Sequence, residues 1–132
     1  MGQTVIKYYR NLLRNGFKYN GSIDNPTIFL DSVGEKIRVC GGNLSNYMHI
    51  FIRVNADRID DIKYLCMCDP VANVAAEILC SLVLNKTIYE AAMITTGDFS
   101  MALGSNDDDF LKKAEGMIDL LNRGISRYLD KK

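Results

Sequence analysis

The chain has 132 residues, of which 48% are apolar, enough to bury the core of one domain and too many for a disordered protein. Its 16 basic and 16 acidic residues cancel, so no net charge draws it to nucleic acid or an anionic membrane. No apolar run is long enough to span a membrane, and the first residues lack the apolar core of a secretory signal. Four cysteines in such a chain do not suggest a disulfide framework. We therefore expect one domain, residues 1–132, in the reducing cytoplasm.

The first half of the chain predicts one helix followed by a small sheet. Thr4 can cap the helix and Gly16 can end it. Apolar and polar residues then alternate, and a period of two indicates strands with one buried face. The predicted strands are 27–30, 36–40, 47–54 and 59–66, with a turn at 55–57 joining the last two. We expect an antiparallel sheet of about three strands.

The second half of the chain predicts helices. The segment from Pro70 to Leu84 is apolar almost all round, with Glu77 as its only charge, and such a helix is a buried one. A short helix at 87–94, a turn at 96–98 and a last helix from about residue 107 to residue 129 follow. These elements predict an α+β fold: a small antiparallel sheet packed against helices, with a long C-terminal helix.

Two cysteines lie where the last strand passes into the buried helix. Cys66 ends the strand, while Cys68 precedes Asp69 and Pro70, which suit an N-cap and a first helical turn. The partial positive charge of a helix N-terminus favours the thiolate, which is the reactive and metal-binding form of cysteine. Free cysteine is also a common core residue, so both interpretations stay open for Cys66, whereas function is favoured for Cys68. Cys80, inside the apolar helix, is most simply a core residue.

His49 is the only histidine, and it lies on the strand face opposite the apolar residues. We interpret it as a surface or edge residue rather than a ligand or base. The sequence contains no phosphate-binding glycine loop, no nucleophile elbow and no zinc-finger spacing. None of the motifs therefore predicts an enzyme.

Seven short segments, in this order along the chain, resemble one family of proteins. They are Val5-Ile6-Lys7-Tyr8-Tyr9, Arg14-Asn15-Gly16, Ser22-Ile23-Asp24-Asn25, Val39-Cys40-Gly41-Gly42, Ile59-Asp60-Asp61, Asn85-Lys86-Thr87-Ile88-Tyr89-Glu90-Ala91 and Ala114-Glu115. Each segment is weak alone, but their order and spacing cover nearly the whole chain. Together they resemble the NifU/IscU-type iron–sulfur cluster assembly scaffolds.

The resemblance implies a scaffold rather than an enzyme. It implies that a cysteine desulfurase supplies sulfur as persulfide, that iron, Zn²⁺ or a nascent [2Fe–2S] cluster is bound transiently, and that acceptor apoproteins take the cluster. The family's site uses three cysteines, an aspartate after the first cysteine and a histidine before the third. By position, Cys40 and Cys68 would be thiolate ligands or persulfide acceptors. Cys66 would replace the third cysteine, and Asp69 would be an oxygen ligand or only the helix cap.

The chain differs from the family at the positions of the metal ligands. Gly42 stands in place of the aspartate, and 109–113, where the histidine and third cysteine would fall, has neither. The Leu-Pro-Pro-Val-Lys chaperone-recognition segment is replaced by 105–109, so chaperone docking is not expected. We expect metal or cluster binding weaker than in a full three-cysteine scaffold. Gly42→Asp with Phe110→Cys should tighten it if Phe110 starts the last helix facing the cysteine corner.

Two further expectations follow from this ligand pattern. The sulfurs of Cys40 and Cys68 should approach within roughly 12 Å, the reach of a shared metal or small cluster. The alternative to a scaffold is a degenerate paralogue that binds protein partners of the assembly machinery without holding a cluster. It is a real alternative because two protein ligands cannot close a structural tetrahedral site.

Overall fold

The computed structural model describes residues 2–39 and 46–132. Within these ranges the elements are, in order, α1 (Gln3–Asn15), β1 (Ile28–Asp31), β2 (Tyr47–Asn55), β3 (Arg58–Met67), α2 (Pro70–Val83), α3 (Ile88–Ala91), α4 (Thr96–Leu103) and α5 (Asp108–Asp130). The predicted α+β class, with a long C-terminal helix, is confirmed. No helix in the described ranges is long and apolar enough to cross a membrane.

The sheet is antiparallel, with strand order β1-β2-β3. Met48, Ile50 and Ile52 of β2 are fully buried on its inner face, as their alternation predicts. Ala56 and Asp57 form the two-residue turn between β2 and β3, with φ values of 52° and 62°. Positive φ at both central residues is what the tight hairpin turn requires. The predicted turn at 55–57 is therefore confirmed.

The strand predicted at 36–40 is not present in its described part. Residues 32–36 form turns instead, and Lys36 has a φ of 59°, which no extended strand allows. The carboxylate of Glu35 pairs with Arg123 and Arg127 on α5, so tertiary contacts fix this loop. Cys40, the last residue of that prediction, lies outside the described residues.

The turn predicted at 96–98 is the first turn of α4. The Thr95 side chain accepts a hydrogen bond from the Asp98 N–H, and the Asp98 carboxylate accepts one from the Thr95 N–H. This reciprocal capping box begins a helix in spite of Gly97. At the other end of the chain, α1 is preceded by Gly2 rather than capped by Thr4.

Helix α2 forms the centre of the molecule, packed against β3, α1, α4 and α5. Pro70 is its first residue, and the Asp69 side chain accepts a hydrogen bond from the Ala72 N–H at 2.8 Å, so both predicted start signals are confirmed. Its apolar residues are buried all round, including the fully buried Cys80, which is a core residue as predicted. The sheet and α5 therefore enclose α2, and the start of α2 fixes the cysteine corner.

Candidate cysteine site

The corner between β3 and α2 contains two of the four cysteines. Met67, the last residue of β3, is 58% exposed, whereas its neighbours Cys66 and Cys68 are partly buried against the core. This alternation is that of a strand, in which every second side chain points to the same face. The two thiols therefore lie on the inner side of the sheet, beside the N-terminus of α2.

Cys66 is held as a protonated thiol. Its Sγ lies 3.1 Å from Asn73 Oδ1 and donates a hydrogen bond to it. Burial, and then the negative charge of Asp69, raise the pKa of the Cys66 thiol to about 11. The helix N-terminus was expected to favour the thiolate, but desolvation opposes it more strongly here. A ligand role for Cys66 would therefore first require the loss of this proton.

Cys68 lies at the end of the corner nearest to β2. Its Sγ is 3.2 Å from the carbonyl oxygen of Tyr47, the first residue of β2. On the other side of the undescribed segment, Val39 is fully buried. Cys40 is outside the described residues, so its predicted approach to Cys68 stays a prediction.

Asp69 is engaged through both carboxylate oxygens. Oδ1 accepts from the Ala72 N–H at 2.8 Å, and Oδ2 lies 3.4 Å from Nζ of Lys113 on α5. The Lys113 side chain is only 17% exposed. Sequence reasoning missed this residue, although it ends the 109–113 segment where the family places its histidine and third cysteine. Only that alignment could have directed attention to Lys113.

The structure also gives the surroundings of Phe110 and His49, two other residues considered from the sequence. Phe110 is fully buried with its ring packed against Phe99, so Phe110→Cys would leave a cavity in the core. Gly42, the other position of the proposed restoration, lies outside the described residues. His49 is partly exposed on the outer face of the central strand β2, with Nε2 3.5 Å from Asp31 Oδ1. It is a surface residue, as predicted, but not on an edge strand.

The described donors do not by themselves fit a closed metal site. Within residues 2–39 and 46–132, no group of three or more His, Cys, Asp or Glu side chains could hold a metal ion. The local chemistry agrees with this, because Cys66 keeps its proton and Asp69 is paired with Lys113. A metal at this corner would therefore need ligands beyond the described residues.

Comparisons with solved structures show the fold. A NifU-like protein (N-terminal) from Brucella abortus, described as nitrogen-fixing, superposes with a TM-score of 0.63 at 9% identity, over 99% of this chain and 95% of its own. A candidate iron–sulfur cluster assembly scaffold protein for the SUF system, from Fervidobacterium islandicum AW-1, gives 0.53 at 19% identity, over 98% and 88%. Identities this low establish similarity of fold alone.

Sequence comparison gives the family. A search of curated proteins finds no match. The family model described as the NifU-like N terminal domain, in contrast, matches residues 3–132, which include the cysteine corner and all five helices of the described ranges. Because this match covers nearly the whole chain, the protein belongs to the NifU-like N-terminal domain family.

Proposed function

We propose that this protein acts as a scaffold in iron–sulfur cluster assembly, with Cys40 and Cys68 as its working thiols. One observation carries the proposal: Cys68 lies at the start of the buried helix α2 in a chain that matches the NifU-like domain over residues 3–132. The residue before Cys40, Val39, is anchored in the core. Both cysteines thus adjoin fixed parts of the fold, which suits a site that must present thiols to partners.

The chemistry of this role begins with sulfur transfer from a cysteine desulfurase. In the reduced protein, the Cys68 thiolate attacks the terminal sulfur of the desulfurase's cysteine persulfide. A new S–S bond forms at Cys68 Sγ, the donor's S–S bond breaks, and the donor cysteine leaves as a thiolate. The dipole of α2 stabilises the attacking thiolate. The chain carries sulfur and cluster as cargo for acceptor apoproteins and is not an enzyme.

We propose that Cys66 and Asp69 contribute less to metal binding than Cys40 and Cys68. Cys66 would have to lose a proton held by burial and by Asn73 before it could replace a third cysteine. Asp69 serves as the cap of α2 and as the partner of Lys113. We therefore propose that the protein binds iron or a nascent [2Fe–2S] cluster weakly and transiently. We also propose that it acts in the reducing cytoplasm, where cysteines stay as thiols.

The second candidate function is a degenerate paralogue that binds partners of the assembly machinery and holds no cluster. The specific observation in its favour is the engagement of Cys66 and Asp69 with protein partners at the corner. Both candidates share docking to a desulfurase and to acceptors, and they differ only in cargo. Cargo is therefore the quantity to measure.

The test is desulfurase-driven reconstitution of the protein purified without oxygen. Iron, zinc and acid-labile sulfide are counted, and the visible spectrum is followed during addition of iron and cysteine. A scaffold gains sulfide and thiolate-to-iron absorption, and Cys68→Ser and Cys40→Ser lose both. Cys80→Ala is the matched control and keeps both. Sulfur and iron contents that stay at background in the unmodified protein, while the desulfurase still binds it, would establish the second candidate instead.

A further inference from the structure

The ion pair between Asp69 and Lys113 is the feature of the corner that the proposed function leaves unused. It joins the start of α2 to the first turns of α5, with Lys113 Nζ 3.4 Å from Asp69 Oδ2. The Lys113 side chain is 17% exposed, whereas lysines normally keep their ammonium group in water. A lysine withdrawn to this extent needs an anionic partner, and Asp69 is that partner among the described residues.

The pair determines what Asp69 can offer to a cation. Its Oδ1 already accepts from the Ala72 N–H, so Oδ2, which makes no capping bond, is the oxygen on which we expect a metal ion to bind. That oxygen faces the Lys113 ammonium, and two cations cannot share it without strong repulsion. A metal ion must therefore displace Lys113 before Asp69 can become a ligand.

We propose that Lys113 is a built-in competitor of metal ions at the cysteine corner, because its ammonium keeps the Asp69 carboxylate out of the ligand set. The inference rests on the proposed function, since it concerns the same corner. Sulfur carried on a cysteine needs no oxygen ligand and is unaffected by the pair. A divalent cation that would add a carboxylate to its thiolates is disfavoured. Lys113 thus biases the corner towards accepting sulfur and against resident metal.

The direct test is Zn²⁺ binding by the reduced 132-residue chain, measured by titration against a competing chelator. Lys113→Met keeps the aliphatic stem of the side chain and removes the charge. We expect it to bind Zn²⁺ about fivefold more tightly, the factor that an ion pair of ordinary strength corresponds to. Co²⁺ is the spectroscopic probe, since thiolate-to-cobalt absorption shows whether the gain occurs at the cysteines. Lys112→Met, on the exposed neighbour, is the matched control for net charge and leaves the affinity unchanged.

Asp69→Asn tests whether the gain in Zn²⁺ affinity comes from freeing the Asp69 carboxylate or only from removing the positive charge of Lys113. Asparagine still caps a helix, so α2 keeps its start, but it offers no carboxylate. We expect Asp69→Asn alone to leave Zn²⁺ affinity unchanged, and Asp69→Asn with Lys113→Met to show no gain. A gain that persists in the double variant overturns the proposal, as does a loss of Zn²⁺ in Asp69→Asn alone. Absence of Zn²⁺ binding in Lys113→Met overturns it as well. Lys113→Gln serves if Lys113→Met does not fold.

The outcome is distinguishable from failure of the scaffold role. If Lys113→Met binds Zn²⁺ more tightly but the reconstituted protein gains no sulfide or cluster, the proposed role of Lys113 is supported and the scaffold function is not. Cluster formation on the unmodified chain, with equal Zn²⁺ affinity in both proteins, would do the reverse. The two experiments therefore do not depend on each other's result.

Discussion

Val39 packs directly over Gly116 of α5. A Cβ placed on Gly116 would lie 2.8 Å from Val39 Cγ1, closer than real Cβ contacts, and Val39 is fully buried. The absence of a side chain on α5 at this point therefore lets the residue before Cys40 enter the core. This contact connects the long C-terminal helix to the start of the segment that bears the first cysteine.

Gly116→Ala is expected to lower the free energy of unfolding by about 1 kcal/mol. Alanine favours the helix by about 1 kcal/mol, but the clash with the stiff Val39 side chain costs about 2 kcal/mol. Urea denaturation measures the difference. Adding Val39→Ala removes the clashing methyl group, so the double variant should be more stable than the two single effects predict. Strict additivity of the two substitutions would mean that the contact does not determine the cost.

Glu77 anchors the segment after α1 from inside the core. The side chain is almost fully buried, and its two oxygens accept hydrogen bonds from the Lys18 and Tyr19 N–H groups, both at 3.1 Å. Sequence reasoning recognised Glu77 as the single charge of a buried helix but gave it no partner. Its partners are backbone groups nearly 60 residues away, at sequence separations of 59 and 58.

Glu77→Gln is expected to destabilise the protein by roughly 2 kcal/mol. Glutamine accepts through one oxygen and turns a donor towards the second N–H, so one charge-assisted hydrogen bond is lost and one donor is left unpaired. Denaturation in urea gives the magnitude, and hydrogen exchange should accelerate at the amides of Lys18 and Tyr19. Glu115→Gln, on the exposed face of α5, is the matched control and should change neither. Equal effects of the two substitutions would contradict the anchoring role.

Local patterns account for most of the correct predictions of the fold. The alternation in β2 and the all-round apolar surface of α2 are periodic, and period follows directly from strand and helix geometry. The start of α4 has a local signal too, the Thr95–Asp98 capping box, which the prediction of a turn at 96–98 did not use. The β-prone residues 36–39 form no strand, and Glu35, just before them, pairs with Arg123 and Arg127 on α5. Propensity yields to tertiary contacts there.

The candidate site was only partly predictable for the same reason. The corner itself follows from Asp69 and Pro70, which are adjacent in sequence and are start signals for a helix. The pKa of Cys66 depends on burial and on the charge of Asp69, and its thiol donates to Asn73, one turn into α2, none of which composition reveals. The Asp69–Lys113 pair joins two helices that meet only in the folded chain. Spacing along the sequence therefore cannot detect it.

Cys66 should be alkylated slowly at neutral pH. A thiol whose pKa is about 11 is ionised at pH 7 in roughly one molecule in ten thousand, and the thiolate is the reacting form. The rate of alkylation by iodoacetamide should therefore rise about tenfold per pH unit and level off near pH 11, as followed by mass spectrometry of the Cys66 peptide. Asp69→Asn removes a charge that raises this pKa and should move the profile to lower pH. A plateau near pH 8.5 in the unmodified protein would indicate an ordinary, exposed thiol.

Cys80 is expected to be purely structural. It is fully buried within α2, and burial, followed by the charge of Glu77, raises the pKa of its thiol well above the usual value. Cys80→Ala should therefore lower the free energy of unfolding by about 1 kcal/mol through lost packing. The measurement is urea denaturation, paired with the sulfide and metal counts of the reconstituted protein.

Comparing Cys80→Ala with Cys68→Ser tests whether Cys80 is structural and Cys68 functional. Cys68 is partly buried at the corner, next to the N-cap of α2, so in the reduced protein Cys68→Ser should abolish sulfide loading while the chain stays folded. Cys80→Ala should do the opposite, because its sulfur is enclosed by the core and no partner's persulfide can reach it. Loss of sulfide in Cys80→Ala with folding intact would require α2 to open during sulfur transfer, and the corner would then not be the only working part of this helix.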